Sequence, residues 1–204
     1  TEADASSVEW NATLKKGVDN SFKAGGTVII NDKLAIGVQN KESVDTEGNT
    51  IIGVVTVNRL TEGSSGNVYL QNRNNGTDYE GQNLNLNKVD GGEEGNILLE
   101  SLGSITNAGE DPVIKGKDLY MLADNGAIGS EDKAITVALN GDLSAVAGKG
   151  IINIDSPEAD KNIVIRNISG GNEGDIIVTA IGNIDSKAKS LGYIRTTGEG
   201  NIIL

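Results

Sequence analysis

Gly66-Asn67-Val68-Tyr69-Leu70, Gly95-Asn96-Ile97-Leu98-Leu99, Gly174-Asp175-Ile176-Ile177-Val178 and Gly200-Asn201-Ile202-Ile203-Leu204 repeat one short pattern. A glycine is followed by Asn or Asp and then by three mainly aliphatic residues. Looser copies are GQNLNL (81–86), GKDLYML (116–122) and GIINI (150–154). A second pattern sets an isoleucine between small or polar residues after a glycine, as in GSIT (103–106), GAIG (126–129) and GNID (182–185). A unit of roughly 20–30 residues with several short strands cannot bury its apolar face alone, whereas stacked copies can. The expected fold is therefore all-β, a parallel β-helix (solenoid) with irregular coils of about 20–30 residues. A right-handed coil suits this irregularity better than the strict hexapeptide pattern of left-handed solenoids, which is absent.

The remaining pattern agrees. Short aliphatic or alternating runs are separated by Gly, Asn, Asp and Ser, the residues of turns. In AITVAL (134–139), Ile135, Val137 and Leu139 fall on one face and Ala134, Thr136 and Ala138 on the other, which predicts a half-buried strand. Glycine at each corner is expected to supply a positive φ. Asn and Asp at the corners are expected to hydrogen-bond along the stack. Helical spacing is weak and confined to WNATLKKGVDNSF (10–22), where Gly17 and Asn20 break it. Residues 1–62 read as a less regular part of the same solenoid and residues 63–204 as its repeats. At roughly 22 residues per coil, about nine coils would build a rod about 45 Å long. The last pattern copy carries no polar cap, so the chain is expected to be a fragment of a longer protein.

Composition narrows the function. The 204 residues carry 17 Lys plus Arg and 29 Asp plus Glu, a formal charge of −12. That balance argues against nucleic acid or an anionic membrane surface as the main partner. The longest apolar run, IIGVVTV (51–57), is too short for a membrane-spanning helix, so no membrane insertion by this segment is expected. Neither His nor Cys is present. This removes the commonest general base, thiol catalysis, disulfides and zinc or iron–sulfur sites. Aromatics make up only 3%, which fits a slim aliphatic interior and leaves few stacking platforms.

GSIT, GAIGSEDKAITVALNGDLSAVAGKGIINI (126–154) and GNIDSKAKSLGYIRTTGEGNIIL (182–204) together resemble the repeats of large Gram-negative exoproteins of the filamentous haemagglutinin type. The resemblance covers the last half of the chain well and the first half poorly. It implies two-partner secretion, an adhesin, haemolysin or leukotoxin context, and virulence. It also implies a location that is secreted or on the outer cell surface of a Gram-negative bacterium. The implied partners are a dedicated outer-membrane transporter for the full-length protein and a cell-surface receptor, protein or glycan. The expected function is a non-catalytic stalk and adhesion or display surface. Two alternatives are a segment of a large secreted cytotoxin and a β-helical polysaccharide-active enzyme.

Several clusters carry residue types that chemistry uses. GGNEGDIIV (170–178) and DGGEEGN (90–96) have the flavour of a calcium-binding Gly/Asp nonapeptide, but the spacing is off by one and no tandem copy follows. Asp45/Glu47, Glu131/Asp132 and Asp155/Glu158/Asp160 are acidic sets of the kind carboxylate enzymes use, here in turn-like stretches. Asn11, Asn75 and Asn167 head Asn-x-Ser/Thr sequons. Trp10 and Tyr193 read as core or cap packing. No catalytic, cofactor-binding or metal residue is assigned, no cofactor is expected, and the chain is expected not to be an enzyme.

Overall fold

The computed structural model describes residues 65–72, 83–109, 112–170, 174–186 and 193–204, together with the strands within residues 2–59 as backbone. The described residues form no helix. Parallel strands stack in about five turns, a β-solenoid. Each turn contributes to two sheets. The first runs through Glu2–Ala5, Asn20–Ala24, Val55–Arg59, Leu84–Asp90, Ile114–Gly116, Ile135–Leu139, Ile152–Ser156, Ile176–Ala180 and Ile202–Ile203, with Ile105–Asn107 also paired to Leu84–Asp90. The second runs through Val28–Asn31, Val68–Asn72, Ile97–Ser101, Leu119–Ala123, Asp142–Ala147 and Ile163–Gly170, on which Ile184–Ser186 and Tyr193–Thr196 both pair. Ser43–Val44 and Thr50–Ile51 form a small antiparallel pair.

The core is a set of aliphatic columns. Leu84, Ile105, Ile128, Ile152 and Ile176 lie opposite one another on successive turns, all fully buried. Val68, Ile97, Leu119, Leu143 and Ile165 form a column in the second sheet, and Leu70, Leu99, Met121, Ala145 and Ile168 run beside it. Alternation explains which residues enter. Ile97–Ser101 and Leu119–Ala123 bury every second side chain, as a pleated strand with one wet face must. The Ile202 rung at the end of the first column is about half exposed.

One hydrogen-bond device recurs where the chain turns into each strand. The N–H of Val68 donates to the Asn96 carbonyl at 2.9 Å, and the Asn96 N–H donates back to Asn67 Oδ1 at 3.0 Å. The same pair of bonds links Leu84 to Ser104 (2.8 Å) and Ser104 to Asn83 Oδ1 (2.7 Å). It links Ile163 to Asn183 (2.9 Å) and Asn183 to Asn162 Oδ1 (3.0 Å). It links Ile176 to Asn201 (2.8 Å) and Asn201 to Asp175 Oδ1 (2.7 Å). At these four corners the residue before the strand carries an N–H, and the side-chain oxygen of the preceding coil satisfies it. This is the physical content of Asn or Asp in the repeated pattern, and it bears out the expected bonding along the stack. The coil lengths these bonds bridge run from 21 to 29 residues.

The glycines differ from expectation. Positive φ among the described glycines occurs at Gly92, Gly129 and Gly150, and not at the pattern glycines Gly95, Gly174 or Gly200. Those three are required by close approach. A Cβ on Gly174 would collide with the Gly150 carbonyl, and one on Gly200 with the Gly174 carbonyl. Backbone passes over backbone at this corner, one coil above the next.

Three further readings are corrected. The pattern copies are not one equivalent position: those at Asn67 and Asn96 enter the second sheet, and those at Asp175 and Asn201 enter the first. Ile135–Leu139 is buried along its whole length rather than half-buried. Its outer residue Thr136 is covered by Val113, whose N–H donates to Thr136 Oγ1 at 3.0 Å, and by Asn107, which donates from Nδ2 to the Ala134 carbonyl at 2.8 Å. Coil length varies more widely than the roughly 22 residues behind an expectation of about nine coils. Glu2 lies opposite Ser21, Asn20 opposite Val55 and Val55 opposite Leu86, spacings of 19, 35 and 31 residues. The weakly helical stretch 10–22 ends in the strand Asn20–Ala24, and its first ten residues lie outside the described ones.

Two substitutions test this account. Asn67→Ala should cost about 0.5–1.5 kcal/mol in urea unfolding by leaving the Asn96 N–H without its acceptor, whereas Asn67→Asp, which keeps an oxygen there, should stay within about 0.5 kcal/mol. Gly174→Ala should cost about 1–3 kcal/mol because backbone must move to admit the methyl, against about 0.5 kcal/mol or less for the exposed Glu131→Ala.

Candidate functional site

The outward side chains of the second sheet make a column of their own. Tyr69, Leu98 and Tyr120 lie opposite one another on three successive strands. Ser144, Asn167 and Tyr193 continue it. Each of the first three is half-buried. They line a groove of about 420 Å³ that also touches Asn96, Asp118, Asp142 and Arg166. The corner device positions its rim. Asp118 Oδ1 accepts the Asp142 N–H at 2.8 Å, which holds the two acids on neighbouring coils along one edge. Arg166 is exposed on the next strand.

A register shift shapes the far end. Leu143 lies opposite Ile165 but Ser144 opposite Asn167, so the Ile163–Gly170 strand carries one extra residue there. An extra residue in a strand bends it and re-aims its side chains. Asn167 Oδ1 is buried without a hydrogen-bond partner, one of two such side-chain atoms among the described residues with Ser156 Oγ. Beyond it Tyr193 is 43% exposed, and the Arg195 guanidinium sits 5.6 Å from its ring centre. Tyr193 is thus a surface residue in cation–π contact, and of the expected core or cap packing the core alternative is corrected. Its place at the outer face of a peripheral strand leaves no interior for it to enter.

The acidic candidates do not gather into one site. Asp155 accepts from Thr179 Oγ1 at 2.6 Å on the outer face of the first sheet. Glu158 pairs with Lys115 at 3.1 Å and, with the exposed Asp160, lines a different groove of about 240 Å³. Lys161 Nζ in that groove donates to Asn140 Oδ1 at 2.6 Å. Glu131 and Asp132 are exposed in a bend. In the Asp90–Asn96 turn, Asp90 is buried and its Oδ1 accepts the Gly92 N–H at 3.0 Å, a local turn bond at a positive-φ glycine. Beside it, Lys117 donates to Glu94 at 3.0 Å across neighbouring coils. That hydrogen bond, followed by the charge of Glu94, raises the Lys117 ammonium above its ordinary pKa. Among the described residues no three acidic groups are arranged to hold a metal ion. Residues 171–173 of the nonapeptide-like stretch, the Asp45/Glu47 pair, Trp10 and the sequons at Asn11 and Asn75 lie outside the described residues.

The tyrosine column was missed in the sequence. Tyr69 and Tyr120 are separated by two coils of unequal length, and only strand register brings them to one column. The usable signal was their shared place directly after or within the pattern copies NVYL and DLYML. No protein-family model, curated protein or solved structure matches the chain.

Asn167 sits inside a paired strand, and Ser169 of its sequon is buried. Expressed in an N-glycosylating host, the chain should therefore carry no glycan at Asn167, which peptide mapping by mass spectrometry checks.

Proposed function

We propose that the chain is a non-catalytic solenoid segment of a secreted or cell-surface exoprotein of a Gram-negative bacterium, serving as a rigid stalk whose lateral faces are available for adhesion. The observation that carries the reading is the stacked ladder. Among the described residues, main-chain bonds and aliphatic columns repeat from coil to coil and side-chain bonds recur at the corners, so neighbouring coils are tied together along the solenoid axis. Material of this kind resists bending and can be lengthened by adding coils without a new core. The formal charge of −12 favours solubility and discourages lateral sticking of such segments. The resemblance of residues 103–154 to filamentous haemagglutinin-type repeats supports the same reading, with a dedicated outer-membrane transporter and a receptor on another cell as partners. The acidic candidates have separate partners, Thr179 for Asp155 and Lys115 for Glu158, which supports a non-catalytic role.

Antibodies raised against the coils should label intact, unpermeabilised cells of the source bacterium, and external protease should remove the label. Labelling that needs permeabilised cells would overturn the surface assignment. Incubation of the purified chain with neutral and acidic polysaccharides, with and without calcium, should release no oligosaccharide; product from any of them would overturn the non-catalytic assignment.

A further inference from the structure

The groove over Tyr69, Leu98 and Tyr120 contributes little to what holds the solenoid together. The columns beneath it are complete, with Val68, Ile97 and Leu119 buried on the other face of the same strands. Yet the outer face places two aromatic rings and a leucine in line in a chain whose aromatics make up only 3% of its residues. We propose that this groove binds a neutral, extended oligosaccharide, an inference that rests on the reading of the lateral faces as adhesion surfaces.

Four features select that ligand. Neighbouring strands lie about 4.8 Å apart, so the tyrosines, two rungs apart, are separated by roughly 9–10 Å along the axis. A disaccharide unit of an extended chain has that scale, and the C–H face of a pyranose packs on an aromatic or aliphatic surface. The rim supplies both hydrogen-bonding senses. Asp118 and Asp142 offer carboxylate oxygens to sugar hydroxyls, Arg166 offers N–H groups, and the exposed amide of Asn96 offers both. Charge decides against acidic ligands: two carboxylates face one guanidinium at the rim, on a chain of charge −12. A volume of about 420 Å³ suits a few sugar rings and is small for a protein epitope.

The test is an array of linear neutral oligosaccharides probed with the full chain, followed by calorimetry on the glycans retained. At least one neutral glycan should bind. Tyr69→Ala and Tyr120→Ala should each weaken it about tenfold or more, Tyr120→Phe should hold within about threefold, and Arg166→Ala should weaken it severalfold. Sulfated and uronic-acid glycans should bind more weakly than neutral ones. Circular dichroism and thermal melts accompany each variant. Arg166 is exposed, so its variant decides the matter if a tyrosine variant fails to fold. Retention of no neutral glycan, affinity indifferent to Arg166→Ala and to those tyrosine variants that fold, or preference for anionic glycans would each overturn the proposal. None of these outcomes bears on the cell-surface labelling above, so a stalk without a sugar site and a sugar-binding protein that is not a surface stalk are told apart.

Discussion

The structure depends on satisfying the backbone N–H at each corner. Within a strand the parallel ladder takes care of main-chain donors and acceptors. Where the chain bends into the strand, the N–H of the preceding residue points off the ladder and takes a side-chain oxygen as its partner, part-buried at Ser104 and exposed at Asn96, Asn183 and Asn201. Asn67, Asn83, Asn162 and Asp175 each place a side-chain oxygen there from one coil away. Ser104 does the same for Ala127 with its hydroxyl at 3.0 Å. Since the carbonyl of the residue so held accepts from the buried aliphatic of the earlier coil, the two bonds lock neighbouring coils in register. The aliphatic columns supply most of the burial, but they are non-directional, and a directional bond at the corner is what aligns isoleucine over isoleucine.

Close approach of backbone to backbone is the second constraint. It makes glycine at 174 and 200 a matter of space and not of φ, while Gly92, Gly129 and Gly150 do occupy the left-handed region. Both requirements show up in sequence as the same letter, so a repeated glycine announces a corner without saying which physics demands it.

How much was legible follows from this. The parallel stack could be read because each coil meets the same backbone problem and solves it with the same residue types, which leaves a repeated glycine–amide–aliphatic trace. Placement of the copies could not be read, because the corner into the first sheet and the corner into the second pose the same problem. Asn96 and Asn201 look alike and precede strands of different sheets. Thr136 was misplaced on a wet face because its cover, Val113 and Asn107, comes from the preceding coil and leaves no mark on the local alternation. The tyrosine groove was hidden for a related reason: coils of 21 to 29 residues disguise which side chains are neighbours.

By itself, then, the chain's sequence determined a β-architecture of stacked parallel coils with a thin aliphatic interior and amide-bonded corners. Those properties are local to one coil and are written again in each. Tertiary structure alone decided which outward residues share a face, that Asp155 bonds Thr179 while Glu158 pairs with Lys115, that Tyr193 is on the surface, and that Tyr69, Leu98 and Tyr120 line one groove. Those are relations between coils, set by register and by where a coil of odd length places its extra residues, and no periodicity along the chain encodes them.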